Sequence, residues 1–514
     1  MKRLSLSTLF VLIAGFAFAQ ADLQVKTANG VLQGTRDSVG VRSYKGIPFA
    51  QPPVGNLRWQ EPQPPKNWSG VRMADHFGPQ AMQKRIYSDM MFRSSGTSED
   101  CLYLNVWTPA KSSKERLPVL VYFYGGGFMA GDGSEYRYDG ESLAAKGMVT
   151  VTVNYRLGIF GFLAHPELTK ESPHHSSGNY GLMDQHAALE WVKKNIAAFG
   201  GDPNMVTIGG ESAGGTSVCA QVTSPLSKGL FIRAIAESGS CLGVEPTPLL
   251  LAEGNGTAFM NKVGATSLAD LRKISADSLL NLAASSHFGM DVDGYFIPEA
   301  PQAIFTAGNQ MHVALLAGWN SGEGDYHSVL GNDSATVSNY KNKLQQIPNA
   351  NADSVFRLWP AATDADVKQA ANDMATARST FSTWAFVYMQ NQTGGEPVYS
   401  YFFTKKRPAY ANGSPNPQMG AHHASEIEYA LGNLRTNKVY GWTADDWKVS
   451  NAMETYFANF IKTGNPNGDG LPQWPTVQKG QYMVIGVDTH AAAINNDRQL
   501  FFSRYLDQLN PVKH

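Results

Sequence analysis

The stretch Gly210-Glu211-Ser212-Ala213-Gly214 sets a serine between two glycines, where the apolar, β-branched run 205–208 gives way to a helix-forming segment. A strand that turns so sharply into a helix needs small neighbours, because the backbones come close and the central residue is pushed toward a strained conformation. Such a turn lifts the Ser212 hydroxyl to the end of a sheet, where it can act as a nucleophile. A hydroxyl attacks poorly at neutral pH, so this chemistry also demands a base within hydrogen-bond reach and a carboxylate to orient that base. On sheets of this kind the chain order is serine, acid, histidine.

The loop Trp319-Asn320-Ser321-Gly322-Glu323-Gly324 follows an apolar run ending at Gly318, and its Glu323 suits the acid. Beyond the apolar run 398–404 and a loop rich in Pro, Gly and Asn stands Gly420-Ala421-His422-His423-Ala424, which suits the base. The third requirement is a set of fixed donors for a developing oxyanion. Tyr124-Gly125-Gly126-Gly127-Phe128 follows another strongly apolar run, and glycines leave their backbone N–H groups open to a bound oxygen. No Lys-Ser/Thr follows the glycines, which argues against a phosphate-binding loop.

These residues need a scaffold that brings strand ends to one edge. Buried strands are predicted at 118–124, 148–154, 205–209, 232–237, 312–318 and 398–404. They alternate with helical patterns, the rhythm of a largely parallel sheet covered by helices. One helix is well marked over 184–199, with Ala187, Ala188, Trp191, Val192 and Ile196 on one face and Gly200 and Pro203 closing it. Regions 254–286 and 350–378 also read as helical and are expected over the C-terminal edge of the sheet, as walls of a substrate gorge. No internal repeat, low-complexity tract or long linker interrupts the chain.

At 43% hydrophobic and 17% charged residues the chain has ample material for a core, and a net charge of -1 gives no reason to expect nucleic acid or an anionic membrane surface. A small-molecule partner is expected. Lys2 and Arg3, the apolar run 9–18 and the small residues Ala17, Ala19 and Ala21 predict a signal peptide over residues 1–21, cut after Ala19 or Ala21. Residues 22–514 are then a single domain, secreted or periplasmic, without a membrane anchor. The three cysteines, Cys101, Cys219 and Cys241, allow at most one disulfide.

Taken together the chain resembles the type B carboxylesterase and cholinesterase family of α/β-hydrolases over nearly its whole mature length. The resemblance rests on YKGIPFAQPPVGNLRW (44–59), SEDCLYLNVWTP (98–109), YGGGF (124–128), VNYRLGIFGFL (153–163), GNYGLMDQHAALEWV (178–192), GGESAGG (209–215), AIAESGS (234–240) and HASEIEYALG (423–432), in that order. It implies an α/β-hydrolase fold: a large, mostly parallel central sheet flanked by helices, with helical insertions forming a gorge. It implies hydrolysis of carboxylic esters, with Ser212 as nucleophile, Glu323 as acid and His423, three residues before Glu426-Ile427-Glu428, as base. The amides of Gly126, Gly127 and Ala213 resemble the oxyanion hole. Glu211 and Ser238 resemble the groups that help hold the Glu–His pair, and Arg58 with Glu99 and Arg156 with Asp184 resemble buried ion pairs. Neither a metal nor an organic cofactor is implied, and the oligomeric state stays open.

The family often bridges the cysteine of SEDCLYLN to one upstream, and here the matching stretch 77–83 carries none. Cys101 is therefore expected to be a buried thiol, and the loop 82–98 more mobile than in bridged relatives. That loop has no tryptophan, which disfavours a specialist for choline esters, whose cation needs an aromatic face. Two rival readings remain: a lipase-like esterase for longer acyl chains, and a non-catalytic binding module.

Overall fold

The computed structural model describes residues 23–509, apart from 39, 88–89, 244–245 and 349. The expected signal peptide lies outside these residues. An eleven-stranded sheet forms the centre. Its strands in chain order are β1 (Thr35–Arg36), β2 (Arg42–Pro48), β3 (Tyr103–Thr108), β4 (Leu117–Phe123), β5 (Val149–Val153), β6 (Gly201–Glu211), β7 (Arg233–Glu237), β8 (Ala314–Asn320), β9 (Val398–Phe403), β10 (Gln481–Ile485) and β11 (His490–Ala493). Across the sheet they stand in the order β11-β10-β9-β8-β7-β6-β4-β5-β3-β2-β1.

From β5 to β10 every pairing is parallel, whereas β1, β2, β3 and β11 join antiparallel at the edges. A parallel sheet is covered by helices on both faces, so its strands read as unbroken apolar runs instead of alternating ones. Every residue of β5 is buried, as are the last five of β4. That burial made all six expected strands visible. The strand β6 begins earlier than expected, at Gly201, through an irregular register between Gly201 and Val206.

Helices surround the sheet: α1 (Tyr180–Asn195), α2 (Ala213–Thr223), α3 (Leu249–Lys262), α4 (Asp364–Ser379), α5 (Phe381–Thr393) and α6 (Ala444–Thr463), of which α1, α2, α5 and α6 pack on its strands. A 3₁₀ turn extends α1 to Phe199, and Gly200, at φ 85, closes it as expected. The helix starts before the predicted 184 because Tyr180, Leu182 and Met183 are buried in a second apolar cluster with Phe160, Phe162 and Phe259.

The two expected ion pairs form. Arg58 meets Glu99 through both Nε, at 2.6 Å, and Nη2, at 2.5 Å. Arg156 donates through Nε and Nη2 to the two oxygens of Asp184, at 2.8 and 2.7 Å, and both side chains are almost wholly buried. Removing one member of such a pair strands the other charge in the interior, which costs about 3–5 kcal/mol. Asp184→Ala should therefore lose about that much folding stability, measured as the shift in the urea unfolding curve; a loss below ~1 kcal/mol would mean that the pair is solvated.

Candidate active site

At the end of β6 the chain reverses direction within one residue. Ser212 sits at φ 56 and ψ -120, outside the ordinary helix and strand regions, and α2 begins at the next residue. The glycines around it are demanded by contact. A Cβ on Gly214 would lie 2.0 Å from the carbonyl oxygen of Phe123, and one on Gly239 would lie 2.0 Å from that of Ser212. The Ser212 N–H donates to the carbonyl of Glu237 at 2.8 Å, tying the turn to the end of β7.

Glu323 and His423 arrive on two neighbouring loops. After β8, the N–H of Asn320 and the Oγ of Ser238 donate to Glu323 Oε1, at 3.0 and 2.5 Å. Gly322 and His422 pair as a short parallel bridge, which sets the second loop against the first. This brings His423 Nδ1 to 2.6 Å from Glu323 Oε2 and His423 Nε2 to 2.9 Å from Ser212 Oγ. His422, the neighbour, is exposed and contributes its carbonyl, which accepts from Asn320 Nδ2 at 2.9 Å. The Glu323 side chain is only 4% exposed whereas that of His423 is 34% exposed, so the acid is sealed and the ring faces the cavity.

The triple-glycine loop packs over the same turn. Gly126, at φ 116, and Gly127, at φ 63, hold conformations that favour glycine. Among the described residues, the amides of Gly126, Gly127 and Ala213 donate to no acceptor. The loop is clamped by Gln83, whose carboxamide exchanges two hydrogen bonds of 2.8 Å with the backbone of Gly131. Arg93 adds an ion pair to Asp139 at 2.7 Å. Cys101 is a buried thiol, as expected.

Ser212 opens on a cavity of about 510 Å³. Its walls are Ile86, Tyr87 and Met90 on one side and Tyr138, Tyr410 and Tyr440 on the others, with Arg137 and Arg407 among them. This corrects the expected gorge: none of residues 254–286 or 350–378 lines it. The first region spends its apolar face on the cluster around Phe160 and Phe259. The second borders a separate cleft of about 870 Å³ between α4, α5 and the sheet edge. Loops that directly follow or face the strand ends supply the walls instead.

The Carboxylesterase family model matches residues 21–502. The chain belongs to the carboxylesterase family. It is 36% identical to the fumonisin B1 esterase of Sphingopyxis macrogoltabida over 90% of its own length and 86% of the relative's. It is 34% identical to the human cocaine esterase over 92% and 88%. Its structure is similar to the Geobacillus stearothermophilus carboxylesterase EST55, with a TM-score of 0.80 at 31% identity, covering 93% of this chain and 99% of that one. The fold is thus the α/β-hydrolase fold, and the protein is a carboxylic ester hydrolase acting on small-molecule esters. The rival reading as a non-catalytic module has no support in these likenesses. Among the described residues no cluster of His, Cys, Asp or Glu has the arrangement of a metal site.

In this carboxylesterase the titratable groups around the imidazole are shifted from their ordinary proton affinities. Burial pushes the Glu211 carboxyl up to about 8, against the pull of His423, whose Nε2 lies 3.2 Å from Glu211 Oε1. Burial also lifts Glu426 to about 7 and Glu237 well above the carboxylate range. Glu323 goes the other way: burial would raise it, but the charge and hydrogen bond of His423 and the Ser238 hydroxyl hold it low. For His423 burial favours the neutral ring, yet Glu211 and Glu323 outweigh it and raise the imidazole above its ordinary value.

Several groups at the site were not singled out in the sequence. Asn320 donates to Glu426 Oε2 at 2.5 Å, and Ser238 also reaches Glu426 Oε1 at 3.2 Å, so Glu426 braces both partners of Glu323. Tyr122 donates to Glu237 at 2.9 Å beneath them. Glu428, two residues on, binds Arg407 at 2.5 Å under the cavity wall. The signal was present in Glu426-Ile427-Glu428, two acids in an apolar stretch, which in a core demand partners. The glycine contacts give a direct test. Gly214→Ala must displace α2 from β4 and should cut ester hydrolysis at least ~10-fold, whereas Gly254→Ala, with nothing within 4 Å of its added carbon, should leave the rate unchanged; equal rates in both variants would refute the packing account.

Proposed function

We propose that this carboxylesterase works through an acyl-enzyme on Ser212. His423 takes the Ser212 proton as Oγ attacks the ester carbonyl, and Glu323 steadies the imidazolium that results. The amides of Gly126, Gly127 and Ala213 bind the oxyanion, His423 then protonates the leaving alcohol, and water repeats the cycle to release the acid. Glu211 and Ser238 position the Glu–His pair. The observation that carries this reading is the continuous line of hydrogen bonds from Glu323 through His423 to Ser212, at 2.6 and 2.9 Å. Amides left without acceptors beside that serine support the oxyanion assignment.

A cavity of about 510 Å³ is of the size that encloses a small organic ligand. Its four tyrosines, Tyr87, Tyr138, Tyr410 and Tyr440, suit an ester with a flat or bulky apolar part. Export as a secreted or periplasmic enzyme follows from the expected leader, and no helix among the described residues is long and apolar enough to cross a membrane.

Ser212→Ala should lower kcat by roughly 10³-fold or more and abolish labelling by a fluorophosphonate; labelling that persists in the variant would place the nucleophile elsewhere. Protonation of His423 removes the base, so activity should fall as pH drops through a limb lying above the ordinary imidazole value. Glu211→Gln withdraws one of the two carboxylates that raise it and should move that limb to lower pH by about one unit, read from the pH profile of kcat/KM. An unmoved limb would show that Glu323 alone sets the base.

A further inference from the structure

Of the three cysteines, which allow at most one disulfide, the fold brings two together. Cys219 lies on α2, about two helical turns beyond Ser212, and Cys241 lies in the segment that follows β7 and Ser238. Both side chains are buried, at 0% and 1% exposure. Their sulfur atoms stand 2.9 Å apart. That is less than 1 Å beyond a disulfide bond of about 2.05 Å, and closer than two thiols settle by packing alone. We infer that Cys219 and Cys241 are joined by a disulfide in the mature protein, a covalent link between the nucleophile helix and the segment that carries Ser238.

The surroundings favour the bond. Ser240 Oγ donates to Cys219 Sγ at 3.4 Å, and Thr223 Oγ1 lies 3.7 Å from Cys241 Sγ. Burial alone would raise the Cys219 thiol, but the hydrogen bonds from Cys241, Ser240 and Thr223 bring it below its ordinary value, the direction that favours attack as a thiolate. Cys101 shows the contrast: burial pushes its thiol well up, which leaves it inert. The oxidant is a small or protein-borne disulfide, such as oxidised glutathione. One cysteine thiolate attacks it, forming a mixed disulfide and expelling one thiol. The second cysteine then attacks the protein sulfur and expels the other thiol. The protein gives up two electrons and two protons, and the oxidant's disulfide becomes two thiols.

The bond matters because of where it sits. Ser238 holds Glu323, and Gly239 is in backbone contact with Ser212, so the segment 238–241 touches both the acid and the nucleophile turn. A covalent tie to α2 fixes that segment without adding any group to the cavity. The remaining cysteine, Cys101, is left over as the odd thiol.

The test is a count of thiols in the full chain, produced with its own leader and recovered without reductant. The protein is unfolded in guanidinium with iodoacetamide, digested and weighed. The expected result is alkylated Cys101 together with linked peptides containing Cys219 and Cys241, and three alkylated cysteines only after prior reduction. A second arm separates failure of export from failure of the bond: the reduced chain is refolded in a mixture of reduced and oxidised glutathione and counted in the same way. Three alkylated cysteines after that refolding, or a link that includes Cys101, would overturn the inference.

Discussion

The backbones at the end of β6 meet more closely than any side chain would permit, and the arrangement of the site follows from that contact. Gly214 touches the carbonyl of Phe123 on β4, Gly239 touches the carbonyl of Ser212, and Gly126 touches that of Ala130 in the loop above. Three chain segments are thereby locked by main-chain contact. Because the lock is in the backbone, the Cα of Ser212 is fixed by main-chain contacts, and the open amides of Gly126, Gly127 and Ala213 are held by the same packing. Fixed dipoles of this kind stabilise a developing charge without reorganising. The strain at Ser212 is the cost of that geometry, and the surrounding contacts hold it in place.

A second constraint is electrostatic. Glu211, Glu237, Glu323 and Glu426 are packed behind one imidazole, and burial alone would protonate all four. Only Glu323 is held below the ordinary carboxylate value, by His423, Ser238 and the N–H of Asn320. The neighbouring acids are instead raised above it by burial: Glu426 braces Ser238 and Asn320, Glu237 accepts from Tyr122, and Glu211 faces His423. The environment thus gives four chemically similar groups different proton affinities, with Glu323 the most acidic of them.

Much of this was legible in the residues. Six central strands showed as continuous apolar runs because a parallel sheet is buried on both faces. The edge strands β1, β2, β10 and β11 gave no such signal, since they are short or partly exposed and mix polar with apolar residues. Gly-flanked Ser212, Glu323 after one strand and the His422-His423 pair after another were readable as chemistry. Choosing His423 over its neighbour needed the family resemblance, because adjacent histidines are equivalent until a loop is given a direction. The gorge walls were misplaced for a related reason. Periodicity shows that a helix has an apolar face, and does not say against which partner that face will dock.

The sequence by itself determined the local chemistry: where strands and helices form, which turns require glycine, and which side chains can attack, accept a proton or carry charge. These are properties of short stretches, written in periodicity and in residue type. Tertiary structure decided what came together: the 2.6 and 2.9 Å line through His423, the cavity walls from Ile86, Tyr87, Met90, Tyr138, Tyr410 and Tyr440, and the meeting of Cys219 with Cys241. Such contacts join residues far apart along the chain, and their distances are set by the packing of the whole core, which no local pattern encodes.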